Sequence, residues 1–447
     1  MDYNEQALYS GVVASNHVDL SGPYYDMLDA AVAGGSPGVE SAALGCPGGL
    51  HLSVDLAPFG LKLGVYGEPQ AWGIRSNAVY AAVQHSYHWW AVDHADPAVL
   101  AWATGHAIPF LSGVAKFWQC YLTKTPVADA PDGYRYWSVG DCDGDEGCNL
   151  PPQEATNPTW TIAYLRRLLE TLPSMVIATG GTVDPAWADM LTHLPPTPTT
   201  TYRGVPILSA YGEGAVNQNA TALDRQPGYL HSLWPGEALS PLSEPNATLA
   251  AAALNVFNFT PWTQDNSFSW MYASAARAGV PPDEVLRRWR AELIPNLKTN
   301  RLVAFGGLCS DSLGAVAFVH DMLVQSQEGF LRLFPAWPGN ASASFTTLRM
   351  RGALLVSAAY VGRPEWAGRV ASRTGGTANV TVLAEAGGAV RFLSPWVDAP
   401  TSTVRVVDAT TGGAVAVTWS VAPGASGGPL GAFDAARASE YVISLAA

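Results

Sequence analysis

Carboxylates and amides capable of acid–base chemistry stand in the polar stretches between the apolar runs of this sequence. They are Asp2 and Asn4 at the start, Glu154, Glu213 in Ser209-Ala-Tyr-Gly-Glu-Gly214, and Asp311 in Phe305-Gly-Gly-Leu-Cys-Ser-Asp-Ser312. Two such groups flanking a bond can divide the work of breaking it, one protonating the departing oxygen while the other activates water or attacks. Each has a plainer reading beside it: Glu154 and Glu213 as solvated loop carboxylates, Asp311 as a helix cap. The acidic run Asp141-Cys-Asp-Gly-Asp-Glu-Gly-Cys148 invites calcium, but an EF-hand loop needs Gly at position six and Glu at twelve, where Glu146 and Pro152 stand. No Cys or His pair follows Cys142 and Cys148 at finger spacing, so no metal site and no cofactor are expected. The five cysteines, Cys46, Cys120, Cys142, Cys148 and Cys309, leave at least one thiol free, and Cys142 and Cys148 are close enough to bridge a short loop.

The elements that must position these groups are mostly helical up to about residue 335. Apolar periodicity predicts helices over Asn77–Trp90, Leu100–Leu122, Pro158–Leu172, Pro282–Leu297 and Gly314–Gln327. Asp283 after Pro281-Pro282 and Ser312 before Leu313 read as their starts. Long segments rich in Pro, Gly, Asn and Asp, at 123–157 and 192–248, separate the helices, and long loops in a compact domain are usually functional. After Pro338 the period changes to two. Strands are expected at Phe345–Met350, Ala378–Leu383, Thr403–Val407 and Ala414–Trp419, with turns at Gly387-Gly388 and Gly412-Gly413. The chain therefore reads as mainly α, a helical barrel over 1–340 with a small β-sandwich over 341–447.

Composition narrows the partners. Over 447 residues the net charge is −13 and only 14% of residues are charged, with no basic stripe, which excludes a nucleic-acid partner. Sixteen Trp and seventeen Tyr make stacking against sugar faces a candidate use of the aromatic surplus, beside their ordinary use in a core. No uninterrupted apolar run reaches membrane-span length, and no signal peptide is expected from Met1-Asp2-Tyr3-Asn4-Glu5-Gln6, which has no basic stretch followed by an apolar one. Five sequons, at Asn219, Asn246, Asn258, Asn340 and Asn379, favour secretory passage all the same.

Asp321-Met-Leu-Val-Gln-Ser-Gln-Glu-Gly-Phe-Leu-Arg-Leu-Phe-Pro-Ala-Trp-Pro338 resembles the last barrel helix and exit strand of the α-L-fucosidase-like six-hairpin glycosidases, glycoside hydrolase family 95. Asp2-Tyr-Asn-Glu-Gln6 is similar to the family's Asn-x-Asn-x-Gln segment, and Gln84-His85 to Asp93 to its paired helices. Tyr229-Leu-His-Ser-Leu-Trp-Pro-Gly236 is similar to its Arg-His-x-Ser-His-Leu and Tyr-Pro-Gly pieces. The resemblance covers about residues 2–340 and implies an (α/α)6 barrel and an exo-acting, inverting glycosidase taking L-fucose or a related sugar from a glycan. It implies Glu213 as general acid, Asp311 polarising Asn4 to handle water, and Asp2 as an alternative base. Gln6, His85, Glu154, His231 and Trp234 would bind the sugar. The sequence departs from the family at Gly214, where a Trp is usual, and around Asp311, which keeps open a glycan-binding pseudoenzyme. Family members usually carry an N-terminal β-sandwich, expected to be absent here because Met1 opens almost inside the site segment.

Overall fold

The computed structural model describes residues 3–53, 75–141, 156–212, 227–260, 262, 268–300, 303, 313–424 and 427–446. Two layers of helix are built from two kinds of sequence. The helices α1 (Tyr3–Tyr9), α2 (Gly22–Ala33), α3 (Ser36–Ala43) and α4 (Asn77–Ala91) come first. Next come α5 (Pro97–Trp102), α6 (Ile108–Tyr121), α7 (Thr159–Ala178), α8 (Pro185–His193) and α9 (Ala247–Asn255). The set closes with α10 (Phe268–Ala278), α11 (Pro282–Asn296) and α12 (Ala315–Leu323). In α4 and α7 burial runs almost all the way round, as expected of helices lining a barrel interior. By contrast α8 and α11 bury a single face, α8 through Trp187, Met190 and His193 and α11 through Pro282 and Val285. Helix α4 packs on α7, α7 on α8, and α10 on both α11 and α12.

The C-terminal ends of three inner helices meet at one place. Arg349 donates to the Ala91 carbonyl at the end of α4, and Arg277 at the end of α10 pairs with Asp321 near the end of α12. The N-termini of these helices therefore point away from that place. The expected helix Leu100–Leu122 is α5 and α6 joined through a π-turn at Ala103–Ala107. By length and hydropathy the continuous Pro97–Tyr121 run could cross a membrane, yet its inward face packs on α4, α7 and α8. The expected cap by Asp283 is not formed: Pro281 holds the cap position without a side-chain bond, and Asp283 sits in the first turn of α11. A carboxylate there still favours the helix through its dipole.

Two short hairpins, β1 (Thr123–Pro126) with β2 (Tyr134–Trp137) and β3 (Thr199–Tyr202) with β4 (Val205–Leu208), lie among the helices, and strands dominate after α12. The pair β5 (Val324–Gln325) and β6 (Arg332–Leu333) leads into a six-stranded antiparallel sheet. This sheet holds β7 (Ala343–Met350), β8 (Leu354–Tyr360), β9 (Thr377–Ala384), β15 (Ser439–Leu445), β11 (Val404–Asp408) and β12 (Ala414–Val415), in that spatial order. A second sheet orders β10 (Gly388–Leu393), β14 (Pro429–Ala435) and β13 (Thr418–Val421). Val356, Val380, Val382 and Ile443 of the first sheet share a core with Val390, Phe392 and Phe433 of the second. The stretch expected as one strand over Ala414–Trp419 is divided, because the chain crosses there from the first sheet to the second. Residues from Val324 onward already belong to this core, while a separate, larger core extends from Tyr24 to Ala336.

A disulfide ties Cys46, just after α3, to Cys120 in the last turn of α6, with Cα atoms 5.6 Å apart. Cys142, Cys148 and Cys309 lie outside the described residues. Peptide mapping of native material without reductant should recover a Cys46–Cys120 cross-linked peptide. Replacing both by serine should lower unfolding stability by about 2–4 kcal/mol in chemical denaturation.

Candidate functional site

A small cavity is lined by Gln6 and Ser10, by Tyr80, Val83, Gln84 and Tyr87 of α4, and by Trp234 and Pro235. Its volume of about 20 Å³ holds one water-sized group. Beside it the His231 ring lies 4.4 Å from Trp160 and 4.4 Å from Trp270, with Tyr80 edge-on at 6.0 Å. The Tyr164 hydroxyl and His231 Nδ1 share a hydrogen bond, while Nε2 has no partner among the described residues. Burial pushes the imidazole down to about 3, so it is neutral. Both amide atoms of Gln6, Nε2 of Gln84 and Nε1 of Trp160 are likewise buried without partners among the described residues. An orphaned buried donor or acceptor costs about 1–3 kcal/mol, and such a group concentrated beside aromatic rings marks a place where a ligand or water completes the bonding.

The structure thus brings together Gln6, His231 and Trp234 from the sequence-derived set. It places His85 elsewhere: that ring packs 4.7 Å from Tyr25 and 5.2 Å from Phe110, with Nδ1 on the Ala81 carbonyl, between layers of helix. Asn4 lies in α1, half a turn before Gln6. Asp2, Glu154, Glu213 and Asp311 fall outside the described residues. The described residues nearest Glu154 and Glu213 are nonetheless tied to one another. The Gly212 N–H donates to the Asn157 carbonyl at 3.0 Å, the Thr159 hydroxyl to Ser209 at 2.7 Å, and the Ser138 N–H to Asn157 Oδ1 at 2.8 Å. Asp141, first of the acidic run, is fully buried in the same knot, accepting from the Arg75 N–H and the Ser138 hydroxyl. Burial pushes its carboxyl up to about 6 against those bonds.

A second group, which the sequence reading missed, is a buried charge cluster next to this cavity. Glu237, 2% exposed, takes the guanidiniums of Arg167 on α7, Arg277 on α10 at 2.7 Å and Arg351 of the β7–β8 turn, and the Tyr87 hydroxyl at 3.0 Å. Burial alone would raise its pKa; the three guanidiniums overcome that and hold the carboxyl well below the usual range. Arg277 grips Asp321 with two bonds, at 2.8 and 3.1 Å, yet burial still pushes Asp321 up to about 6. Tyr87 lines both this cluster's cavity and the aromatic one. A sequence signal existed: in so charge-poor a chain, Glu237 directly follows the Trp-Pro-Gly piece and Asp321 opens the exit segment.

No family model matches the chain, and no curated protein matches it. Among solved structures it is similar to a protein from the human microbiome described as a presumptive kojibiose phosphorylase. The TM-score is 0.47 and the identity 11%, over 85% of this chain and 51% of that one. The chain thus spans about half the length of that structure.

The buried histidines set the acid limit of the fold. Burial lowers His85 and His231 to about 3 and His88 and His320 to about 4. The unfolded chain takes up their protons below about pH 6.5 and the folded chain does not, so stability falls as pH falls. Asp141 and Asp321, raised to about 6, act oppositely, since the folded chain protonates them first. Four groups against two leave a net loss from pH 6 to 4.5, at most about 3 kcal/mol per pH unit. Calorimetry should therefore find Tm falling over that window; a flat or rising Tm would show that the histidines gain charge without penalty.

Proposed function

We propose that this chain is the barrel part of a carbohydrate-active enzyme that releases a terminal sugar from a glycan or oligosaccharide. The observation that carries this reading is the set of unpartnered buried amide atoms of Gln6 and Gln84 in the cavity lined by Trp234, with the unpartnered Trp160 indole and His231 imidazole beside Tyr80 of the same cavity. Sugar hydroxyls both donate and accept, so they can complete such atoms, while the C–H face of a sugar ring packs on an indole. The cavity is too small for a whole ring, so the proposal seats the sugar over it with hydroxyls reaching in.

In this reading the enzyme is exo-acting and inverting, with L-fucose or a similar sugar as substrate. Glu213 protonates the leaving oxygen, Asp311 polarises Asn4 to direct water, and Asp2 is the alternative base. Gln6, His231 and Trp234 hold the sugar, and Glu154 takes a further hydroxyl. The proposal also has the protein pass through the secretory pathway. It is supported by exposed sequon asparagines at 246, 258, 340 and 379 and by the Cys46–Cys120 bridge, a bond that persists in oxidising compartments.

Turnover of aryl glycosides, run beside binding to a glycan array, tests the reading. Glu213→Gln should lose about 10²–10⁴-fold on a natural glycan and far less on a nitrophenyl glycoside, whose leaving group needs little protonation. Asp311→Asn and Asn4→Ala should impair both alike, in variants first shown to fold by circular dichroism. Saturable glycan binding without turnover would instead favour the pseudoenzyme, and neither binding nor turnover would remove sugar chemistry altogether.

A further inference from the structure

The segment that carries Trp234 is clamped on both sides by the charge cluster. Arg277 Nη1 donates to the Leu233 carbonyl at 3.3 Å, and the Tyr87 hydroxyl donates to the Pro235 carbonyl at 3.1 Å. These are the residues directly before and after Trp234, and the same two side chains also hold Glu237. The loop between is tight. The Gly236 N–H closes on the His231 carbonyl at 2.9 Å, and a Cβ on Gly236 would lie 2.5 Å from that oxygen and 2.8 Å from Ala163 Cβ. Glu237 itself sits at φ 53°, a left-handed conformation that a glutamate adopts only where its surroundings compel it. What compels it is the carboxylate's four partners, drawn from α4, α7, α10 and the β7–β8 turn.

Arg351 is the one of these partners that comes from the sheet region. Its backbone N–H donates to Ser326 Oγ at 3.1 Å and its Nη1 to the Gln327 carbonyl at 3.0 Å, while the next residue, Gly352, donates to the Trp90 carbonyl at 2.8 Å. The β7–β8 turn is thus fixed to the end of α4 and to the turn after β5 before its guanidinium reaches Glu237.

We infer that Glu237 is a positioning residue for the sugar site, and that Arg351 sets the placement of the Trp234 ring from the β-sheet side of the molecule. The inference rests on reading the aromatic cavity as a sugar site; the placement of Trp234 by Arg351 can be tested without a sugar. The full chain is labelled with 5-fluorotryptophan, and Trp234→Phe identifies the Trp234 fluorine resonance. Arg351→Met should shift or broaden that resonance while the signal of Trp419, on β13, stays in place. Arg351→Lys should produce a smaller change, because an ammonium keeps the charge but cannot reach Glu237 and Gln327 together. Arg351→Met leaves a buried carboxylate one partner short, so the Glu237→Gln/Arg351→Met pair is measured as well. It leaves Arg167 and Arg277 against Asp321, the same excess of one positive charge as three guanidiniums against two carboxylates.

On an aryl glycoside that the wild type turns over, KM should rise roughly 10- to 100-fold in the Met variant, with kcat changed much less. A wild type without turnover or sugar binding removes the sugar reading, and the fluorine spectra still decide whether Arg351 places Trp234. A Trp234 resonance unmoved in every Arg351 variant that folds, the Lys variant included, overturns the inference.

Discussion

The fold depends on one buried carboxylate. Glu237 lies where apolar packing would otherwise force it to be neutral, and it stays ionised because three guanidiniums and a phenol converge on it. Arginine cannot discard its proton, so each of those guanidiniums also needs a counter-charge once out of water. Neither side can be removed alone: losing one member of such a buried set typically costs about 3–5 kcal/mol. The set as a whole need not add stability over a hydrophobic equivalent, so its value lies in geometry. Its bonds tie α4, α7, α10, α12, the Leu233–Glu237 loop and the β7–β8 turn to one another.

That constraint explains how a chain with so few charges spends them. Exposed pairs such as Arg287–Glu284 and Arg363–Glu365 are solvated and contribute little. Buried or half-buried ones lie where helices meet the sheets: Glu237 with its arginines, Arg349 with Glu385, and Arg332 with Glu328. The aromatic cavity beside them is built on the opposite plan, with neutral amides, an uncharged imidazole and indoles left short of partners. One region sets charge against charge, and its neighbour is neutral with bonding capacity to spare. A site that must grip a neutral polyol benefits from that division, because preorganised walls reduce the ordering cost of binding.

Much of the scaffold was legible because it obeys periodicity. Asn77–Trp90, Pro282–Leu297 and Phe345–Met350 were each found within a few residues of their observed limits. Phe268–Ala278 was not, since its buried run of Trp270 to Ala276 is apolar or small on every side and has no stripe to detect. Gly314–Gln327 was read too long, because Val324 and Gln325 leave the helix to pair with Leu333 and Arg332. Gln6, His231 and Trp234 were reached only through a family resemblance; no spacing rule joins residues 6 and 234. Arg351 with Glu237, and Cys46 with Cys120, are contacts 114 and 74 residues apart in sequence. Proximity along the chain suggests only near neighbours such as Cys142 and Cys148, which lie outside the described residues, and carries no signal for a pair as distant as Cys46 and Cys120.

The sheets have a role in this arrangement beyond their own core. A sandwich whose core is Val356, Val382, Phe392 and Ile443 is stable through its own apolar packing and needs no ion pair to exist. The Met350–Ala353 turn nevertheless carries Arg351 to Glu237, with Gly352 at φ 82° and Ala353 at φ 55° making the reversal. Left-handed backbone at a non-glycine residue costs free energy that a surface hairpin could avoid with Asn or Gly. Ala353 is instead completely buried and its carbonyl accepts from the Glu385 N–H, whose side chain in turn holds Arg349. The turn is therefore shaped from within the sheets and presented to the helices as a fixed projection. Rigidity on that side is what allows a guanidinium on a hairpin to fix a loop between helices. A flexible hairpin offering the same charge would satisfy Glu237 electrostatically while leaving the Trp234 ring free to move.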